Sequence, residues 1–218
     1  MPEPQYKKLD FTEKHSEEML QQSHAFYRDV KRRRSVRDFS DRPVPKAIIE
    51  NALLAAGTAT SGAKQQPWHF FTISNPVLKG KIRGAAEEEE RAFYHRRATP
   101  EWREAIQPLG LDEHRPFLEI APYLIVIFSQ QIITDDQGRQ HKNYYSIESA
   151  GIATGLLITA LHLAGLATLT HTPSPMRFLN QLLDRPFLIL VTGYPSDEAQ
   201  VPVITKHPLE RFTTFIGP

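Results

Sequence analysis

The 218-residue sequence contains no cysteine, which removes disulfides, thiolate metal sites and a cysteine nucleophile together and fits a reducing, cytoplasmic setting. It also lacks an excess of either charge. With 26 Lys and Arg against 25 Asp and Glu the formal net charge is +1, so no overall field draws in nucleic acid or an anionic membrane, and any anion site has to be built locally. No uninterrupted apolar run reaches the ~18 residues of a membrane span. The longest apolar stretch, "GIATGLLITALHLAGLATL", is broken by His162, threonines and glycines. The opening "MPEPQYKKLDFTEKHSEEMLQQ" has no apolar core behind a basic start, so no secretory leader is expected. Phosphate-loop, dinucleotide, zincin and serine-hydrolase signatures are missing, and the nine histidines do not cluster at ligand spacing, so no metal site is expected. These absences predict a soluble protein with neither a nucleic-acid nor a membrane partner.

What is present reads as an α+β chain. "SEEMLQQSHAFYRDVKRRR" predicts an amphipathic helix with Met19, Phe26 and Val30 on its period. A second helix is expected in "VPKAIIENALLAAG", with Pro45 at its start, Ile48, Ile49, Leu53 and Leu54 as its stripe and Gly57 as its stop. "PWHFFTIS" and the continuously apolar "APYLIVIFSQ" predict strands, the latter central and buried. Between them, "PVLKGKIRGAAEEEERAFYHRR" predicts a third helix. "ATPEWREAIQPLGLDEHRPF" is polar, weakly periodic and broken by Pro and Gly, the makings of a mobile lid. A polar hairpin-like "DDQGRQ" precedes "YSIESAGIATGLLITALHLAG", a helix apolar on nearly every side, which is expected to be buried all round, in the domain or in a subunit interface. There, Ala150, Gly151, Ala153 and Gly155 would admit a close backbone. "ATLTHTP" and "PFLILVTGYP" predict strands, "SPMRFLNQLL" a helix, and "VPVITKHPLERF" an extended tail with a final turn. Regular βαβ alternation is absent, so a compact α+β domain is favoured over a doubly wound sheet.

Four segments could carry chemistry. "VKRRRSVRDF" sets five basic side chains around Ser35, where guanidinium forks, a hydroxyl and backbone N–H groups could hold a phosphate; a solvated helix end is the alternative. In "TATSGAKQQPW", Gly62 permits positive φ or a close ligand and Ser61 offers a hydroxyl, in what could equally be an ordinary connection. In "TLTHTPSP", alternation sets Thr170 and Thr172 on one face and His171 on the other. The run "EEEE" of residues 87–90 is the fourth. At about 100° per residue, four consecutive glutamates cannot share one solvated face, so at least one must lie against the stripe of Ile82, Ala85, Ala86 and Phe93. Glu89 falls near its middle, and Glu90 with Tyr94 flanks it as an i, i+4 pair. A carboxylate beside a buried surface needs a cation or donors, which Arg83, Arg96, Arg97 or a cationic ligand would supply.

Taken in order, "RRSVRDF", "SGAKQQPW", "EEEERAFY", "FLEIAPYLIVIF", "GLATLTHTPSP" and "GYPSDEAQVP" resemble the nitroreductase superfamily, and within it the iodotyrosine deiodinase branch in a soluble form, over about residues 25–210. The resemblance implies a nitroreductase-like fold for residues 25–218, a mixed central sheet flanked by helices, with 1–24 as an N-terminal extension that includes the start of the first helix. It implies an intertwined homodimer with FMN at the interface, bound by Arg33, Arg34, Ser35, Val36, Arg37 and Lys206, by Ser61 and Gly62 of the other subunit, and by Thr170, His171 and Thr172. The Thr172 hydroxyl would donate to flavin N5 and favour single-electron steps. Glu90 would take the ammonium of a halotyrosine, Tyr94 and Arg115 its carboxylate end, and the Ala63 N–H its phenolate, while residues 91–115 close over the site. Arg115 stands where the family usually has Lys, Lys206 where it has Arg, Thr60 where it has Pro, and His171 where many members have Thr.

The expected activity is FMN-dependent reductive dehalogenation of halotyrosines, with electrons from NAD(P)H directly or through an electron-donor protein. Broader nitroaromatic or quinone reduction needs the same cofactor without Glu90, Tyr94 and Arg115, and a noncatalytic anion-binding module would need only the basic segment.

Overall fold

A computed structural model describes residues 5–106, 112–134, 137–173, 175–181 and 186–217. It divides into two compact units, Met1–Arg33 and Arg34–Pro218. The first contains helix α1 (Ser16–Lys31), with Glu17 and Glu18 in its first turn and Arg28 and Lys31 in its last, the order that suits the helix dipole. None of its residues is buried, and the expected stripe residues Met19 and Phe26 are exposed.

The second unit is built on a four-stranded sheet in the order β1 (Trp68–Ile73), β2 (Tyr123–Ser129), β6 (Pro186–Gly193), β5 (Ala167–His171), with every ladder antiparallel. β2 is the predicted central strand, and its unbroken apolar run reflects cover on both faces. Leu124, Val126 and Phe128 point into one core with Ile82 and Ala86 of α3 (Pro76–Arg96) and Phe117 and Leu118 of the short α5 (Phe117–Ile120). Ile125 and Ile127 point into the other, with Ile49, Ala52 and Ala56 of α2 (Lys46–Gly57) and Leu157 and Leu161 of α6 (Ser146–Leu163). Each such aliphatic side chain removed from water contributes about 1.5–3 kcal/mol. At the end of β6, Gly193 lies so close to Pro122 that an added Cβ would meet the ring at 2.5 Å, so only glycine lets the strand pass there.

Local signals account for the helix ends. The Asn75 side chain caps α3 by accepting from Leu78 N at 3.0 Å, with Pro76 at the first helical position. The segment expected to be weakly ordered instead forms α4 (Pro100–Ile106), started by the Thr99 hydroxyl accepting from Trp102 N at 3.2 Å. The remainder of that expected lid includes 107–111, outside the described residues. The hairpin expected around "DDQGRQ" is β3 (Ile132–Thr134) paired with β4 (Gln140–Lys142); residues 135–136 of it lie outside the described set.

One expectation needs correction. Among its described residues "SPMRFLNQLL" gives a 3-10 turn at Arg177–Leu179, not a helix: Leu179 is buried, with Met176 and Phe178 packed beside it on the core, so the apolar contacts are adjacent in one turn and make no helical stripe. Residues 174 and 182–183 of that stretch lie outside the described set. Of the two kinds of cover expected for α6, its own chain supplies one side. Ala150, Ala153, Leu157 and Leu161 are covered, whereas Ile147, Ile152, Leu156 and Leu163 are exposed. Gly151 and Gly155 have nothing within 4 Å of an added Cβ.

Candidate active site

Among the described residues of the second unit two hollows bear comparison, and the larger of them lacks the chemistry. An open groove of about 960 Å³ runs past Phe39, Pro43, Lys79, Arg83, Glu119 and Tyr123. Its cations are already engaged: Lys79 Nζ donates to the Ala121 carbonyl at 2.7 Å, and Arg83 pairs with Glu87 at 2.9 Å and Glu119 at 3.0 Å. None of the predicted cofactor- or substrate-binding residues lines it.

A smaller cavity of about 190 Å³ gathers seven of them. β5 and the residue after it contribute Leu169, Thr170, His171 and Thr172; α3 contributes Glu90 and Tyr94; Arg37, Trp102, Arg115 and Phe117 complete the lining. The basic segment reaches this place through backbone pairing. Ser35 forms a parallel bridge with Thr168, and Val36 N donates to the Thr168 carbonyl at 3.2 Å, so Arg37 runs alongside Thr170. Neither Arg34 nor Arg37 has a carboxylate within ion-pair distance among the described residues. Burial and the charge of Arg115 lower the pKa of the Arg37 guanidinium. Arg34 donates to the Pro202 carbonyl, tethering the basic segment to the extended stretch that carries the exposed Lys206.

The glutamate run is resolved by ion pairing. Glu88 is exposed, whereas Glu87 meets Arg83 at 2.9 Å, Glu89 meets Arg97 at 3.3 Å and Glu90 meets Arg115 at 3.0 Å. The last pair is the most enclosed, with side chains 13% and 9% exposed. Burial raises the Glu90 pKa against the opposing pull of Arg115. The Arg115 backbone N–H also donates to Glu87 Oε1 at 2.8 Å, fixing the segment that carries the guanidinium. Tyr94 packs edge-on to Trp102 at 5.4 Å, and Trp102 to Phe93 at 4.6 Å, so the three rings form the outer wall.

His171 faces inward, as alternation requires, yet still lines the cavity. Its Nε2 is sealed from solvent and has no hydrogen-bond partner, and the ring stands edge-on to Phe117 at 5.5 Å. Burial, then the charges of Arg115 and Arg37, push its pKa down to about 3, so the imidazole is neutral at pH 7. Thr170 and Thr172 are exposed.

The remaining predicted residues lie elsewhere. Ser61, Gly62 and Ala63 do not line this cavity among the described residues; they form a tight loop in which Ala63 has φ 49° and Ser61 Oγ accepts from Gln66 N at 3.0 Å. Arg33 ends the first unit and is described with it. Trp102 and Phe117 were missed by sequence reasoning. Thr99-Pro100-Glu101, an N-cap followed by Pro and an acid, was the readable signal for the helix that brings Trp102.

The chain is similar to known proteins in sequence and in fold. The profile of the Nitroreductase family matches residues 30–194. An iodotyrosine deiodinase from Haliscomenobacter hydrossis is 52% identical across 87% of this chain and 88% of its own. Iodotyrosine deiodinase 1 of Homo sapiens is 38% identical across 95% of this chain and 75% of its own. The crystal structure of oxidized iodotyrosine deiodinase bound to FMN and 3-iodo-L-tyrosine superposes with a TM-score of 0.75 at 31% identity, covering 87% of this chain and all of that one. An FMN-dependent nitroreductase from Mycobacterium smegmatis shares the fold at a TM-score of 0.68 and 20% identity, over 90% of this chain and all of that one.

Proposed function

The chain belongs to the nitroreductase family, in its iodotyrosine deiodinase branch, and on that premise we propose that it is an FMN-dependent reductive dehalogenase of halotyrosines. Two electrons and a proton replace the ring halogen by hydrogen, giving tyrosine and halide. The observation that carries this reading is the enclosed Glu90–Arg115 pair beside the Tyr94 and Trp102 rings, because broad reduction of nitroaromatics or quinones has no need of it.

A free amino acid suits such a pair. Its ammonium and carboxylate bring one charge of each sign, so it can enter between Glu90 and Arg115 and leave neither uncompensated. Arg115 offers a planar fork to the carboxylate where lysine would offer a point charge, and the Tyr94 hydroxyl, on the same cavity wall, assists there. The Ala63 N–H, which finds no backbone acceptor among the described residues, donates to the substrate phenol oxygen and favours its ionised form.

The donor set fits FMN. Arg34 and Arg37, without carboxylate partners, together with Ser35, Val36 and Lys206, would hold the phosphate and polar edge; the sequence assigns Arg33 to the same role. Ser61 and Gly62 would reach the cofactor from a second copy of the chain, and Thr170, His171 and Thr172 would follow the ring. When bound, the flavin supplies the electrons for carbon–halogen cleavage. The neutral, unpartnered His171 nitrogen and the Thr172 hydroxyl are the uncharged groups offered to it. The open apolar face of α6 supports pairing of two chains as a homodimer. NAD(P)H, directly or through a reductase, is the proposed source of electrons, and the cytoplasm the proposed location.

Titrating the flavin fluorescence of the purified protein with 3-iodo-L-tyrosine and with tyrosine tests the reading. Selective quenching by the halogenated ligand is expected, and Glu90→Gln should weaken that binding by about 2 kcal/mol, the order for loss of a charged partner, with nitroaromatic reduction little changed. Equal loss of both activities would remove Glu90 from the substrate site.

A further inference from the structure

The loop before β1 is strained. Ala63, Lys64 and Gln66 all have positive φ, at 49°, 56° and 48°, in a stretch of four residues. Left-handed backbone costs each non-glycine residue about 1–2 kcal/mol, so three together persist only where the surroundings enforce them. The loop's own hydrogen bonds are short-range: Lys64 N to the Ser61 carbonyl at 3.2 Å, Gln65 N to the Gly62 carbonyl at 3.0 Å, and Gln66 N to Ser61 Oγ at 3.0 Å. They shape the turn without attaching it to the sheet.

Gln66 Nε2 ties the loop back to the Gly57 carbonyl at the end of α2 at 3.4 Å, and among the described residues the hydrogen-bonded attachment to the β4–α6 side runs through the Gln65 side chain. Gln65 Nε2 donates to the Lys142 carbonyl at 3.1 Å, and Gln65 Oε1 accepts from Tyr144 N at 2.7 Å. The first partner is the last residue of β4 and the second lies in the link to α6, which is itself pinned just past the end of β2: Asn143 N donates to the Gln131 carbonyl at 2.8 Å and Asn143 Nδ2 to the Gln130 carbonyl at 2.7 Å. At the same contact Gly62 packs so tightly that an added Cβ would meet the Tyr144 carbonyl oxygen and the Tyr145 ring at 2.9 Å. The loop is therefore pressed against the link at Gly62 and bonded to it at Gln65, with Ala63 between them.

We infer that Gln65 is a positioning residue, whose two-point bridge from the strained loop to the Lys142–Tyr144 link fixes the direction of the Ala63 N–H toward the phenol oxygen of the substrate. The inference rests on the assignment of Ala63 made above. Removing the amide frees the loop to relax from its left-handed conformation, and the Ala63 N–H turns away. The groups that would grip the amino-acid end, Glu90 and Arg115, are untouched.

The test uses the FMN-bound protein and measures the Kd of 3-iodo-L-tyrosine by flavin fluorescence across the ionisation of its phenol. The wild-type affinity is expected to rise as the phenol ionises. Gln65→Ala is expected to lose about ten-fold of that rise, with affinity for the neutral-phenol form unchanged. Gln65→Glu, which keeps an oxygen for the Tyr144 N–H, is expected to retain at least half of the rise. A flat wild-type profile overturns the Ala63 assignment and the inference with it. A rising wild-type profile that Gln65→Ala reproduces leaves Ala63 in place and overturns the role of Gln65. A Gln65→Glu profile as flat as that of Gln65→Ala replaces the bridge with general damage to the loop.

Discussion

On the strand side of the cavity, Thr170 and His171 belong to a backbone ladder, β5 against β6, with the Ser35 bridge on the other edge. On the helix side, Glu90, Tyr94, Trp102 and Arg115 are joined by one ion pair and by ring contacts between short or terminal pieces of helix. A wall built on ladders changes only if the sheet opens; a wall built on side-chain pairs can be rearranged by a ligand that satisfies the same charges. On the proposed function, the fixed wall would serve the cofactor and the adjustable wall the substrate.

The largest expected effect breaks the strand wall by acid. The unfolded chain protonates His171 near pH 6.5 and the folded chain near 3, so between those values the unfolded state binds more protons and stability falls as pH is lowered. Each unit is worth about 1.4 kcal/mol, and the whole window up to about 4–5 kcal/mol. The imidazole faces two cations, Arg37 and Arg115, which deepen its aversion to charge. Urea unfolding across this range should show a steeper acid decline in the wild type than in His171→Asn; identical slopes would mean that the strand wall opens to water.

Next comes the helix wall. Arg115→Met should cost about 3 kcal/mol, because Glu90 is left enclosed without its partner, whereas the double change Glu90→Gln, Arg115→Met should recover most of it. Denaturant midpoints of the wild type and these two variants decide this, and a double variant no better than Arg115→Met would show that the arginine acts by packing. The smallest effect sharpens the division between the walls. Thr172→Ala should slow dehalogenation about five-fold, the worth of one hydrogen bond of ~1 kcal/mol, and shift the protein toward hydride chemistry, with iodotyrosine binding unchanged. A rate loss matched by a binding loss would put Thr172 on the substrate wall.

Much of this was legible in the chain because the signals were local. The apolar run of β2, a third helix opening at Pro76 and the demand that at least one glutamate lie against a buried surface each rest on neighbours in sequence and have their counterparts in the fold. The angle that set Glu89 nearest the stripe does not, Glu90 being the more enclosed. The same angles could not show that the cation for Glu90 is Arg115, 25 positions away, nor that Ser35 pairs with Thr168. Those are tertiary choices. The helix at Pro100–Ile106 was overlooked for another reason: its capping residues were visible, but weak apolar periodicity outweighed them. For α6, uniform apolarity implied cover on every side and could not say which cover its own chain provides.

The single bridge between Ser35 and Thr168 acts as a ruler. Side chains alternate along extended chain, so one residue inserted between Ser35 and Arg37 would turn the guanidinium to the opposite side of the strand edge, while the same insertion ahead of Arg32 would leave it where it is. The distance in residues from that anchor to Arg37 is thus as much a part of the cation's identity as its charge.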